Sequence, residues 1–414
     1  MVQLGGFDYS RSETVSIEAP LTPPLSLGYL KTYALSQDPK LDIKILEPWQ
    51  ILDLSRAEII EAILSYSPAL VALSCYIWNI DETLKLIKAI KDCDSSIRVI
   101  AGGPEVSNLQ HVEGNPEIDL AVVGAGEEAF YDIISNLAFP HGVASSDLLW
   151  KNRLYHSDNC PSHPRFLYNI PGPYSNRIFD ISKYRHAYLE SYRGCYQKCS
   201  YCFYHKISPK LQFFPIDNLS REVEYLHENG IKYLIMIDSV LNYPGWGEQV
   251  CQVIAWHNRD QQIELSADVQ AELVREEFCV LAKKANFVEF QVGLQSIRPE
   301  TLKIVRRKSD LGGFSEGVRL LKNYGFRVNA DLILGLPGDR INDVQRGVDY
   351  LKNLGVDNVR VALLRILPGT ELWQTYDRLG IGFSEKVPYY LESTQHISQE
   401  EIHDFFGGAN HRVF

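Results

Sequence analysis

The sequence predicts an α/β protein in two parts, an N-terminal doubly wound parallel sheet followed by a partial (β/α)6 barrel. Short apolar runs alternate with amphipathic helical stretches along most of the chain, a pattern that means parallel strands joined by helical crossovers. The rhythm breaks over residues 139–180, which carry Pro140, Pro161, Pro164, Pro171 and Pro173. Six strand–helix units follow, too few for a closed eightfold barrel. The expected divisions are a first domain over 1–138, a linker over 139–180, the barrel over 181–382 and a short C-terminal extension over 383–414.

In the first domain, residues 41–46 read as a strand and 57–66 as a helix. Residues 69–74 are apolar on both faces, as a strand covered by helices on each side must be. Leu84, Ile87 and Ile90 recur at helical spacing within 80–93. Residues 97–101 and 120–124 are the next strands, and 128–137 a closing helix. After the proline-rich stretch, strands are expected at 187–192, 232–237, 263–267, 287–292, 328–334 and 359–364. Helices fall between them, and Gly230, Gly325 and Gly355 stand where helices stop. Right-handed crossovers place the C-terminal ends of the strands on one rim, where ligand sites in parallel sheets gather.

Composition is that of an ordinary globular chain of 414 residues, 45% hydrophobic and 22% charged. The 41 basic and 52 acidic side chains give a formal charge of −11, which argues against non-specific binding to nucleic acid or anionic membrane. No apolar run approaches a membrane span, and no leader pattern opens the chain, so a cytoplasmic location with reduced cysteines is expected. Cys75, Cys251 and Cys279 lie in apolar segments and read as small buried thiols.

Cys195, Cys199 and Cys202 differ from these. They form C-x3-C-x2-C directly after the first barrel strand. Thiolates hold iron–sulfur clusters, commonly in fours. Three with no fourth nearby leave one iron of a four-iron cluster open to a small molecule. Zinc is the competing reading, with His205 completing a Cys3His set, but structural zinc sites favour a second short cysteine pair and none exists.

With an aromatic before the third cysteine and six barrel units after it, the chain resembles the radical S-adenosylmethionine enzymes. The resemblance implies that Cys195, Cys199 and Cys202 bind a [4Fe–4S] cluster. It implies that S-adenosylmethionine chelates the open iron and is cleaved to a 5′-deoxyadenosyl radical after one electron arrives from a flavodoxin- or ferredoxin-type donor. Tyr201 would lie near the adenine. Asp238 and Ser239, ending the second strand, occupy the place where such enzymes hold the methionyl amine, although both are also favoured helix caps. Ser266 ends the third strand. The stretch Gln291-Val292-Gly293-Leu294-Gln295-Ser296 resembles the family's E-x-G-x-Q-S, with Gln291 where an acid is common; Gln295 and Ser296 are its candidates for ribose and carboxylate. Asp331 to Asp339 resembles D-x-I-x-G-L-P-G-E, in which Gly335 and Gly338 permit a tight turn.

The first domain is similar to the cobalamin-binding, Rossmann-like domains fused to many such enzymes. The matching loops offer Ser74, Tyr76, Gly102, Gly103, Gly124, Gly126 and Glu127 as cobalamin contacts. The D-x-H-x-x-G motif is absent, and the first 110 residues contain no histidine to ligate cobalt. The resemblance implies cobalamin-dependent C-methylation of a small-molecule or natural-product-like substrate; charge and the lack of an apolar span add the expectation of no nucleic acid or membrane partner. A cobalamin-independent radical rearrangement or cyclisation and a non-catalytic iron–sulfur scaffold are the alternatives.

Overall fold

A computed structural model describes residues 1–4, 21–138, 154–156, 167–208, 210–407 and 411–413. Two compact units divide between Arg185 and His186. Most of the predicted linker lies outside the described residues, and its last residues pack within the first unit.

In the first unit, β1 (Leu70–Ser74), β2 (Arg98–Gly102), β3 (Leu120–Val123) and β4 (Leu154–His156) form one parallel sheet in sequence order. Val71 to Leu73, Val99 to Ala101 and Leu120 to Val122 are buried throughout, as expected of strands covered on both faces. Helix α1 (Leu25–Gln37) shares a core with α4 (Glu127–Ala138), in which Ala34, Ala129, Phe130 and Ile133 meet Ala72, Ile100 and Leu120. Between these, α2 (Arg56–Leu64) starts on a Ser55–Glu58 capping box, and α3 (Ile80–Cys93) buries Ile80, Leu86, Ile87 and Ile90 on one face.

The strand expected at 41–46 does not form. Val2 bridges both Leu73 and Leu46, so the outer edge of β1 is already taken. Asp42 and Lys44 pair with each other at 3.3 Å on the surface, which leaves Leu46 as the segment's only bridged residue. The sequence reading also passed over α1 and β4.

The second unit carries β5 (His186–Leu189), β6 (Tyr233–Met236), β7 (Glu264–Val269), β8 (Phe287–Gln295), β9 (Arg327–Leu334) and β10 (Asn358–Leu363). All six are parallel and adjacent in chain order, the expected partial barrel. A seventh strand, β11 (His411–Val413), joins β10 antiparallel from within the predicted C-terminal extension. Crossover helices α5 (Ile216–Glu228), α6 (Trp246–His257), α7 (Glu276–Ala285), α8 (Pro299–Ile304), α9 (Leu311–Asn323) and α10 (Ile341–Leu354) cover the outer face.

Period-two burial separates the faces of these strands. On β9, Val328, Ala330, Leu332 and Leu334 are buried, whereas Asn329, Asp331 and Ile333 keep accessible surface. Phe290 on β8 anchors the outer layer, with ring centroids 5.3 Å from Phe287, 4.9 Å from Phe326 and 5.7 Å from Phe278. The inner face is polar, and this is what positions the site.

Candidate active site

The first barrel strand is shorter than predicted. It stops at Leu189, and Tyr192–Arg193 instead pairs antiparallel with Gln212–Phe213. The cysteines therefore sit in a loop closed at its base by a two-residue ladder. Gly194 opens the loop at φ +98°, where a Cβ would stand 2.8 Å from the Lys210 carbonyl oxygen and 2.9 Å from that of Ser208. Only glycine suits that approach.

Polar contacts from four elements fix the loop. The Ser239 hydroxyl, after β6, donates to the Gly194 carbonyl at 2.8 Å and lies within hydrogen-bond reach of the Cys195 thiol. The amides of Ser191 and Tyr192 both donate to Asp238 Oδ1 at 2.9 Å. Gln197, buried, donates to Gln270 Oε1 after β7 and to the Lys308 carbonyl, both at 2.9 Å. The Ser200 amide donates to the Val305 carbonyl at 2.9 Å, and the Leu372 amide donates to Ser200 at the same distance.

All three thiols are free. Burial raises the Cys195 thiol pKa, and the Ser239 hydrogen bond partly offsets it; burial pushes Cys202 up to about 11. Both are protonated at neutral pH until a metal displaces the protons. No three His, Cys, Asp or Glu side chains among the described residues converge on one point as a single ion requires. Cys195, Cys199 and Cys202 lie close enough to act on one another's charge, and three neighbouring thiols are the donor set a [4Fe–4S] cluster takes.

The other predicted contacts fall into two groups. Tyr201, Gln295 and Gly335 stand at the C-terminal rim, in the cysteine loop, at the end of β8 and after β9, whereas Ser266 does not end its strand as expected: β7 runs on to Val269, and Ser266 lies mid-strand, paired with Ile235 and Glu289. Tyr201 turns its phenol toward Cys199 and Arg307. Gln295 has φ +68° at a register shift in β8, and its amide fills the space a Gly293 side chain would need. Gly335 has φ +99°, and a Cβ there would meet Leu391 at 2.0 Å. Ser239 and Ser296 are committed to the protein itself. Ser296 donates to Asp339 Oδ1 at 3.0 Å, as Thr301 does at 2.6 Å, so these hydroxyls pin the Gly335–Asp339 turn.

Asp238 is divided. Oδ1 holds two amides, while Oδ2 is buried without a partner. Burial raises its pKa to about 7, with Glu190 adding to the effect. Between the ordinary carboxylate pKa and about 7 the folded chain binds a proton that the unfolded chain has lost. Stability therefore falls as pH rises through this window. Asp238→Asn, which keeps the Oδ1 acceptor and cannot ionise, is expected to flatten that decline. Urea midpoints at pH 5 and pH 8 measure it, and an unchanged slope would contradict the assignment.

Sequence reasoning missed Arg307. The side chain is partly buried, with Nε fully so; it donates to the Gly293 carbonyl and lies within hydrogen-bond reach of Cys199. The available signal was a doubled arginine, Arg306-Arg307, between the fourth and fifth strands.

In the first unit, the predicted cobalamin contacts gather along the C-terminal edge of the sheet, because β1, β2 and β3 are parallel. Gly103 and Gly124 adopt φ +100° and +101°. Gly103 presses its backbone against Cys75, so that a Cβ would meet the Cys75 carbonyl oxygen at 2.5 Å. Gly102 differs, with nothing within 4 Å of the place its Cβ would take. Beside it, Tyr76 stacks on Trp78 at 4.4 Å and 6°, and the Tyr76 hydroxyl donates to Ser26 at 3.2 Å. Ser74 and Glu127 are buried, and a Gly126 Cβ would stand 2.9 Å from Leu30. An open backbone edge beside an aromatic platform fits a flat macrocycle.

The chain matches the radical SAM superfamily model over residues 189–351 and the B12 binding domain model over residues 20–134. It is 26% identical over 391 residues to the cobalamin-dependent radical SAM methyltransferase TokK of Streptomyces tokunonensis, covering 84% of this chain and 54% of that protein. An uncharacterized methyltransferase of Pyrococcus horikoshii is 22% identical over 370 residues, covering 85% of this chain and 78% of that one. The chain spans about half the length of the first curated relatives it matches. Among solved structures, the methyltransferase TsrM of Kitasatospora setae superposes with a TM-score of 0.71 at 17% identity, over all of this chain and 84% of that one. The cobalamin-dependent radical enzyme OxsB gives 0.65 at 18%, over 84% and 51%.

Proposed function

We propose that this chain, which carries a radical SAM domain behind a B12 binding domain, is a cobalamin-dependent methyltransferase acting on carbon in a small molecule. One conjunction carries the reading: a three-cysteine loop on the rim of a partial barrel, and an open glycine edge beside an aromatic platform in the preceding sheet. When bound, the cluster, S-adenosylmethionine and cobalamin would supply an electron, a hydrogen-abstracting radical and a methyl group.

The residues of the chain bind and position. Cys195, Cys199 and Cys202 hold the cluster, and Gly194, Gln197 and Ser239 hold the loop that presents them. Asp238 Oδ2 is the free acceptor offered to the methionyl amine. Tyr201, Gln295 and Gly335 line the rest of that rim, with Ser266 further down β7, and Ser296 fixes the turn behind it. In the first unit, Gly102 leaves backbone open to the corrin, with Gly103, Gly124, Ser74, Tyr76, Gly126 and Glu127 shaping the edge. The radical would attack protein or solvent indiscriminately, so the substrate must be held against the 5′ carbon with water excluded. A flavodoxin- or ferredoxin-type donor supplies the electron, and the proposed location is the cytoplasm. No helix among the described residues is long and apolar enough to cross a membrane.

The test is anaerobic reconstitution with iron, sulfide and hydroxocobalamin, followed by reduction with S-adenosylmethionine. Retained corrin absorption together with 5′-deoxyadenosine is the expected result. If 5′-deoxyadenosine forms on protein that retains no corrin, methyl transfer is wrong and a cobalamin-independent rearrangement or cyclisation takes its place. That second reading is favoured by one observation, the absence of any histidine before His111. Iron without either product leaves the scaffold reading.

A further inference from the structure

The segment Val305–Lys308 is tied to the cysteine loop on both sides of Arg307. The Val305 carbonyl accepts from the Ser200 amide at 2.9 Å. The Lys308 amide donates to Gln197 Oε1 at 3.1 Å, and its carbonyl accepts from Gln197 Nε2 at 2.9 Å. Arg306 takes the left-handed conformation at φ +56° and pairs outward with Glu371 at 2.7 Å. That turn sends the Arg307 side chain inward. There it donates to the Gly293 carbonyl, and its Nη2 lies 3.2 Å from where a Gly293 Cβ would stand, beside the Gln295 amide that fills that space. Its Nε has no partner.

Negative charge near a partly buried guanidinium stabilises it. Two groups act on Arg307 in this way: the Cys199 sulfur and Glu272. Glu272 Oε1 accepts from the Ser309 hydroxyl, and its Oε2 is buried without a hydrogen-bond partner. With three thiolates on a four-iron core, reduction by one electron makes the site more negative. A fixed positive charge against one of those sulfurs favours the reduced state.

We propose that Arg307 is a positioning residue for the cluster, holding a fixed positive charge beside Cys199 that raises the cluster's reduction potential and that Glu272 partly offsets. This rests on the reading that Cys195, Cys199 and Cys202 hold a [4Fe–4S] cluster.

The test is a dithionite titration of the reconstituted full chain, followed by electron paramagnetic resonance. It is run without S-adenosylmethionine, so that any contact of Arg307 with that molecule cannot move the readout. Iron and sulfide counts select samples with equal cluster content. In Arg307→Met the ratio of reduced to oxidised cluster at a fixed potential is expected to fall about tenfold, which is about 59 mV for one electron. Arg307→Lys keeps the charge and is expected to stay within about twofold of the parent chain. Glu272→Gln is expected to move the ratio the other way, up by a few-fold. An unchanged or higher potential in fully loaded Arg307→Met overturns the proposal, as does an equal shift in Arg307→Lys. Should Arg307→Met hold no iron, Glu272→Gln decides: a potential equal to that of the parent chain overturns it, and a raised one supports it. A parent chain that assembles no four-iron cluster defeats the functional reading itself, which is a different outcome.

Discussion

Cys202→Ala is expected to strip the chain of its cluster and with it all reductive cleavage of S-adenosylmethionine. The loop has three thiols and no fourth, so removing one leaves a four-iron core with two protein ligands. Loss of an outer-shell partner costs a metal site roughly 10–100-fold. Loss of a ligand from a set already one short costs more, and 5′-deoxyadenosine formation is expected to drop by at least about 100-fold. The fold is not expected to suffer. The amide of Cys202 keeps its 3.1 Å bond to the Cys199 carbonyl whatever the side chain, and the residue belongs to no strand or helix. Circular dichroism separates the two effects. Iron content near that of the parent chain in Cys202→Ala would remove Cys202 from the ligand set. An unfolded variant would assign it a structural role that the geometry does not show.

The position of these cysteines was legible because spacing and strand order are local facts. Much of the barrel was legible for the same reason. Its strands alternate buried and accessible residues, or run apolar throughout, and helix stops such as Gly355, at φ +82°, announce themselves. What could not be read was who competes for a sheet edge. Leu41 to Leu46 has strand-like alternation, yet Val2 holds the place it would take. β11 is three residues long and becomes a strand because β10 offers it an open edge. The same limit applied at the site. Ser296 carried a family role by sequence, but its hydroxyl is bound to Asp339, more than forty residues away along the chain. Arg307 gave no motif because its place depends on a hydrogen bond to the Gly293 carbonyl, fourteen residues back in the chain. Motifs report residues that face a ligand; long-range hydrogen bonds report the residues that hold them there.

The glycine edge of the first unit allows the second large effect to be obtained without disturbing the fold. Gly102 and Gly103 are neighbours with opposite requirements. Gly103 sits at φ +100° with its backbone against Cys75, so Gly103→Ala strains the chain and forces a contact of 2.5 Å. Such strain costs of order 1–3 kcal/mol, and lost corrin binding in that variant would prove nothing about the edge. Gly102 has an ordinary φ and open space. Gly102→Phe is therefore expected to fold with stability within about 0.5 kcal/mol of the parent chain. Its ring would occupy the volume in which a corrin must lie if it rests on this sheet edge. Retention of hydroxocobalamin after desalting, read by visible absorption, is expected to fall at least about tenfold, which corresponds to about 1.4 kcal/mol of binding. Cluster content should be unchanged, since Cys195, Cys199 and Cys202 belong to the other unit. Full corrin retention in Gly102→Phe would place the macrocycle elsewhere, and the open edge would then have to be explained without it.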